Sequence, residues 1–411
     1  TLSRFRPCAL YVKDSLSRAI SVYRRMTRQS MLSRHTVPPN HNLTMHKISS
    51  TSGAFVVLFT AVLITGFTQD ASSETLQATT TATDQQAVPE SEQLRTVPFL
   101  TLRNKTGSDK AEEYFGGERS IMHAGVCELE RMPLNALKPI AEKAPFHIPD
   151  EIVDVAAVSE LPIEALWQRL GSKSSDASPL LYVHGFYISF ERGCRRALIF
   201  KESLGLEGRF VLFSWPSDGA ILNYTQDESD LYWSVYPLRD VLDDMISRFG
   251  EGNTNLVAHS LGTRGIMLAL VLLAEARKQD HAPLFNQVVL IAPDIDVGIF
   301  RQYLPLIRPL ARNLTVYVSS NDNPLALSRQ VHGYPRLGEA GTHLEGLADI
   351  DIIDLSDLPV RSPSGHVYHL RQSLMTSDLD QLINENKPAV QRNNLRKVGQ
   401  NQWQLHRAGE K

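Results

Sequence analysis

Four short segments of the chain are almost continuously apolar: residues 180–184 (LLYVH), 209–215 (RFVLFSW), 255–259 (NLVAH) and 287–292 (QVVLIA). A strand with one wet face alternates apolar and polar residues, whereas a strand covered on both faces does not need to. These segments read as parallel strands held between layers of helices. Further strand candidates lie at 96–102, 126–131, 314–319 and 349–355. Amphipathic stretches at 190–204, 230–249, 261–278 and 297–310 separate them, and one at 369–384 follows the last. This alternation predicts an α/β fold with a mostly parallel, doubly wound sheet and helices on both faces.

The 411 residues include 42% hydrophobic and 21% charged types, with a formal net charge of −3. That composition excludes collagen-like, low-complexity and multi-span membrane classes. No global basic field exists to attract nucleic acid, so no nucleic-acid partner is expected. Three cysteines without a C-x-x-C pair rule out a disulfide scaffold, a zinc ribbon and a redox dithiol. Cys127 and Cys194 could pair in an exported protein, but the sequence does not bring them together.

Charge is unevenly spread. Residues 1–44 hold eight Lys/Arg against the single acid Asp14, so the remainder is net acidic. This basic extension is Arg- and Ser-rich, and Met26, Met31 and Met45 each offer a start. Residues 45–69 place Lys47 before a 15-residue apolar stretch, 53–67, followed by small polar residues. The pattern is that of a secretory signal, and it falls short of the about 17–25 apolar residues of a spanning helix. An uncleaved anchor, with membrane association through 53–67, is the alternative. Residues 70–93 lack aromatic and periodic apolar content and read as a disordered linker. One folded domain is expected over 94–386, with a polar tail over 387–411. The protein is expected to be exported, to the periplasm or beyond.

The segment Asn255-Leu-Val-Ala-His-Ser-Leu-Gly-Thr263 runs a buried strand directly into a helix with Ser260 at the turn. This is a nucleophile-elbow arrangement, which lifts a serine hydroxyl above the sheet edge. Small residues are needed two before and two after the serine, and Ala258 and Gly262 supply them. An ordinary helix-capping serine is the competing reading. Upstream, His184-Gly-Phe186 ends another strand. A nucleophilic serine acting on an acyl group needs two backbone N–H donors for the developing oxyanion. Leu261 supplies one, and Phe186, after the turn permitted by Gly185, supplies the other. The side chain of His184 is expected to be structural.

His184-Gly-Phe, Phe213-Ser-Trp-Pro-Ser217 and Ala258-His-Ser-Leu-Gly262 together resemble the alpha/beta-hydrolase superfamily. More narrowly they resemble a bacterial esterase/lipase-like family of unknown function. Tyr114-Phe-Gly-Gly-Glu-Arg119, Gly125-Val-Cys-Glu128, Tyr224 with Asp227, Ala292-Pro-Asp-Ile-Asp296, Val318-Ser-Ser-Asn-Asp322 and Gly365-His366 extend the match across about 95–385. The resemblance implies the alpha/beta-hydrolase fold and a serine hydrolase mechanism, without naming a substrate.

In that superfamily the chain order is serine, acid, histidine. His366 follows the last of the strand candidates named above across Ser362-Pro-Ser-Gly365 and is the expected base, with His369 as alternative. Asp322, after 314–319, is the expected acid. It also has the features of a helix N-cap before Asn323-Pro324. Asp294, after 287–292, is the alternative acid, or else braces the loop beside the site. His332 and His343 flank or lie within a Gly-rich segment, 333–346, which reads either as a mobile loop near the site or as an ordinary solvated loop with the two histidines as loop polar residues. Trp215, Ser217 and Tyr224 are candidates to line the pocket, the alternative being that Trp215 packs inside and 216–219 simply turns the chain. No metal or cofactor is expected: no H-E-x-x-H, P-loop or dinucleotide fingerprint is present, and His366 and His369 lack a further partner at ligand spacing. The expected activity is hydrolysis of a small-molecule or lipid carboxylic ester. A catalytically idle binding module on the same fold, or an acyltransferase or peptidase using the same serine, are the alternatives.

Overall fold

The computed structural model describes residues 95–131, 153–171, 178–220, 223–277, 282–359, 366–370 and 372–407. The basic extension, the signal-like segment and the linker lie outside the described residues. Among the described residues, eleven strands form one sheet in the order β10-β11-β9-β8-β7-β6-β4-β5-β1-β2-β3. The strands are β1 Arg95–Lys105, β2 Phe115–Arg131, β3 Val153–Glu160, β4 Leu180–Val183, β5 Phe210–Ser214, β6 Asn255–His259, β7 Phe285–Ile291, β8 Ala311–Val318, β9 Asp351–Asp354, β10 Leu395–Lys397 and β11 Gln402–Leu405. From β1 through β5, β4, β6, β7, β8 and β9 to β11 every pairing is parallel. The two ends are antiparallel: β1 with β2 and β2 with β3 at one side, β10 with β11 at the other. The helices are α1 Ile163–Gly171, α2 Phe190–Ser203, α3 Tyr224–Phe249, α4 Gly262–Arg277, α5 Val297–Ile307, α6 Asn323–His332 and α7 Ser373–Ile383.

Successive residues of each central strand feed two separate cores. Leu181 and Val183 of β4, with Leu256 and Ala258 of β6, pack among α1, α3, α4 and α5. Leu180 and Tyr182, with Val257, face the other way into a core shared with α2 and α7. Side chains alternate across a strand, so burial of both faces demands apolar residues at every position. That is why the central runs are continuous.

After β4 the chain continues to β5 on one side and then crosses to β6 on the other. The crevice outside the carboxyl ends of β4 and β6 is therefore the topological switch point, where ligands bind in open α/β sheets. Gly185-Phe186 leaves one of these strand ends and Ser260 the other.

Two expectations need correcting. Residues from 387 onward are not simply a polar tail. β11 pairs in parallel with β9, and Trp403 and Leu405 are buried while Gln402 and Gln404 alternate outward. Arg392, fully buried, also ties this segment to Asp378 of α7 at 2.7 Å. The Gly-rich segment 333–346 is likewise no free loop. Leu337 N–H bonds Ile295 O at 2.8 Å, Gly338 N–H bonds Pro293 O at 2.9 Å, and Ser319 N–H bonds Gly338 O at 2.9 Å. Its backbone is pinned to the ends of β7 and β8.

Cys127 of β2 is disulfide-bonded to Cys194 of α2, and both are buried. The bridge spans 67 residues of sequence and closes a loop that the unfolded chain would otherwise sample freely. Replacing both cysteines by alanine is expected to lower the unfolding free energy by about 2–4 kcal/mol, read as an earlier urea midpoint. An unchanged midpoint would show that the bridge contributes nothing.

Candidate active site

Ser260 sits between β6 and α4 with φ +53°, a left-handed conformation that a side-chain-bearing residue adopts only under constraint. Its N–H donates to Ile291 O at 2.9 Å, and its carbonyl accepts from Thr263 N–H at 3.1 Å. The requirement for small neighbours is visible directly. A Cβ on Gly262 would lie 2.2 Å from His184 O, and one on Gly185 would lie 2.8 Å from the Ser260 Cβ. The loop after β4 thus passes directly against the turn after β6. Ala258 is buried on β6.

His366 Nδ1 lies 2.9 Å and 2.7 Å from the two carboxylate oxygens of Asp322. Asp322 is buried, 2% exposed, and its Oδ1 also accepts from Leu325 N–H at 3.1 Å to cap α6. Asp322 thus caps α6 and meets the His366 ring at once. His259, adjacent to Ser260, joins the histidine to the elbow. Its Nε2 lies 3.1 Å from His366 O, and the two rings are 4.6 Å apart between centroids. Ser260 Oγ makes no hydrogen bond to His366 or to another described residue. Such bonds are often long in unliganded enzymes and tighten with substrate. The N–H groups of Phe186 and Leu261 likewise bond no described residue.

Asp294 lies elsewhere. Its carboxylate accepts from Tyr224 Oη at 2.6 Å, Ser328 Oγ at 2.7 Å and Arg336 Nε at 2.6 Å. Its carbonyl accepts from Arg264 Nη2 at 2.9 Å, and its N–H donates to Ser260 O at 3.3 Å. Burial alone would raise its pKa, but the Arg336 and Arg264 cations and the two hydroxyl donors hold it down at about 2. Both carboxylate oxygens are spent on bracing, and none faces a histidine.

His369 stands in the single 3₁₀ turn Tyr368–Leu370, ahead of α7 rather than within it. It is buried, with Nε2 3.2 Å from Tyr182 Oη, and burial pushes its pKa well below the usual value. His332 Nδ1 lies against Ser328 O, and His343 Nε2 lies 3.3 Å from Arg336 O. Trp215 and Ser217 are both buried, and for Trp215 this is the packing alternative. Trp215 is fully buried, donating to His184 O at 2.8 Å and stacking on the His184 ring. Ser217 is also fully buried and donates to Asp227. The Trp-Pro-Ser turn is held inward at both ends, by His184 at Trp215 and by Asp227, which gathers Ser217 Oγ and the Asp218 N–H. Tyr224 is partly exposed, packing its ring on Phe186 at 5.1 Å while its hydroxyl reaches Asp294. Arg264, Arg336 and Arg103 were not singled out in the sequence. Arg103 did carry a signal, as a charged residue inside a buried strand run (PFLTLR).

Residues 164–385 match the model of a family described as alpha/beta hydrolase of unknown function (DUF900). The chain belongs to this family. Solved structures similar to this alpha/beta hydrolase include the esterase of Pyrobaculum calidifontis, at 14% identity and a TM-score of 0.30, covering 52% of this chain and 79% of that one. A hormone-sensitive lipase from a metagenome library is similar at 15% identity and a TM-score of 0.29, covering 62% of this chain and 92% of that one. No curated protein sequence matches the chain.

Two outcomes follow for this hydrolase. Gly262→Ala is expected to cost about 1–3 kcal/mol or more, because its Cβ would meet backbone rather than a yielding side chain. A thermal shift assay checks this. The second concerns acid. A carboxylate whose folded pKa lies below its unfolded value contributes stability that is full above the unfolded pKa and is lost as pH falls through the folded one. Asp294 should therefore give up its contribution between about pH 4 and pH 2. Melting temperatures of wild type and Asp294→Asn should differ at pH 5 and converge toward pH 2. A constant gap would rule out the ionised carboxylate as the source.

Proposed function

We propose that the protein is a carboxylic-ester hydrolase in which Ser260 is the nucleophile, His366 the base and Asp322 the acid. The observation that carries this reading is the pairing of buried Asp322 with partly buried His366, whose carbonyl meets His259 next to Ser260. Asp322 on Nδ1 leaves Nε2 of the same ring as the basic nitrogen. Nε2 takes the Ser260 proton as Oγ attacks the ester carbonyl. The imidazolium so formed is stabilised by the Asp322 carboxylate, and the Phe186 and Leu261 N–H groups receive the oxyanion. The proton passes to the leaving alcohol, and water, activated by the same histidine, releases the acid. Asp294, with Arg264, Arg336 and Tyr224, keeps the adjoining loop in place without taking part in proton transfer.

The natural setting proposed is an exported protein acting on small-molecule or lipid esters. A buried disulfide persists in oxidising compartments, which agrees with the signal-like residues 45–69. An uncleaved 53–67 segment would add membrane association.

Labelling with a fluorophosphonate and turnover of p-nitrophenyl esters of graded chain length test this. Ser260→Ala is expected to abolish labelling and lower kcat by about 10⁴–10⁶. Asp322→Asn should lower kcat by about 10²–10⁴ and Asp294→Asn far less. Identical labelling of wild type and Ser260→Ala would remove the nucleophile assignment. Labelling without turnover of any ester would favour acyl transfer to another acceptor. No labelling of wild type would favour an idle binding module.

A further inference from the structure

The peptide between Gly185 and Phe186 bears one proposed oxyanion donor, and it is held from its other end. Gly185 O lies 2.8 Å from Nδ1 of His184. A carbonyl only accepts, so Nδ1 carries the ring proton. The peptide unit is planar and trans, and holding its C=O fixes the opposite direction of the Phe186 N–H.

A neutral imidazole protonated at Nδ1 must accept at Nε2. Two donors face that nitrogen, Ser214 Oγ at 3.2 Å and Arg103 Nη2 at 3.5 Å. Arg103 is a fully buried charged residue on β1, outside the 164–385 family match. All five of its N–H donors are engaged. Nε donates to Ser214 Oγ at 2.9 Å, Nη1 to Gly116 O at 3.1 Å and Ser217 O at 2.5 Å, and Nη2 to Ile188 O at 2.7 Å as well as to His184. Because Ser214 Oγ accepts from Arg103, its own proton is left for His184 Nε2. The guanidinium therefore acts on that nitrogen twice, directly and through the serine. It also grips the same loop at Ile188, whose N–H bonds Ser217 Oγ at 3.1 Å.

Every one of these acceptors is uncharged. A buried cation with no carboxylate in direct contact is expensive to keep, and an apolar residue would fill β1 at lower cost. Burial lowers the Arg103 pKa to about 9, with Asp227, Asp218 and Asp230 partly offsetting it, so the group is charged at neutral pH. Burial and the Arg103 charge in turn lower His184 to about 3, against the opposing pull of the Gly185 and Trp215 carbonyls, and the ring stays neutral.

We infer that Arg103 is a positioning residue for the oxyanion peptide: it confines His184 to the Nδ1–H tautomer, whose bond to the Gly185 carbonyl orients the Phe186 N–H beside Ser260. The inference rests on the serine-hydrolase reading and adds to it a residue from the N-terminal strand. Its first test needs no turnover. In the full chain labelled with ¹⁵N-histidine, the ring nitrogens of His184 should show Nδ1 protonated and Nε2 bare at pH 7. A protonated Nε2 in wild type would overturn it, whether or not any ester is hydrolysed and whether or not variants fold. The second test is kinetic. Arg103→Lys supplies a point charge with three donors in place of the five-donor fork. It should lower kcat on p-nitrophenyl butyrate by about 10–100-fold with KM within about twofold, on the scale of a lost oxyanion donor. His184→Leu should fall similarly, and His184→Asn, whose amide N–H replaces Nδ1–H with no tautomer to choose, should recover about tenfold over it. In the His184→Asn background Arg103→Lys should cost no more than about threefold. Equal costs of Arg103→Lys in both backgrounds, or full activity of His184→Leu, would sink the idea. Failure of wild type on every ester would instead count against the ester-hydrolase reading.

Discussion

The carbonyl oxygen of His184 rests against Gly262 at a distance that leaves no room for a Cβ, and Gly185 also rests too close to Ser260 to carry one. This contact between the ends of β4 and β6 is what the rest of the site depends on. It exists because the crossover from β5 to β6 brings two adjacent parallel strands to the same edge with their following loops facing each other. The strained Ser260 backbone is the cost, and it persists because Ile291 O and the first turn of α4 over-determine it. Buried strands on both faces hold the two ends rigidly enough for that constraint to survive.

Two aspartates leave neighbouring strand ends only 28 residues apart in sequence and receive different work from their surroundings. Asp294 meets two arginines, a tyrosine and a serine, and its charge is consumed in holding the loops after β7 and α6 together. Asp322 is also buried, but among the described residues its carboxylate meets a helix N-terminal N–H and an imidazole. A carboxylate already shared among fixed cations has little left to stabilise a transient imidazolium. One without an arginine on it among the described residues keeps its field for the imidazole it faces.

The central strands and the helices between them were legible because burial on both faces leaves no freedom in residue type. The shorter pieces were not. β11 does alternate, as Gln-Trp-Gln-Leu, but four residues are too few to outweigh a polar setting. α1, nine residues long, hid its apolar side of Leu166, Trp167 and Leu170 in an otherwise polar stretch. Trp215 and Ser217 follow a strand at the right edge, and nothing local shows that Asp227, ten residues on from Ser217, turns the serine inward.

Ser260, with its small neighbours and its place between strand and helix, was determined by the sequence itself, since the sterics of a strand–turn–helix act within a few residues. The order of the later acid and histidine candidates was also readable. Which carboxylate meets His366, which way the Trp-Pro-Ser turn faces, and the five-way grip of Arg103 were decided only by tertiary structure. Those contacts join residues 10 to 114 positions apart, beyond the reach of local sterics, and the direction of a charge or a hydrogen bond depends on what the fold brings to its other side.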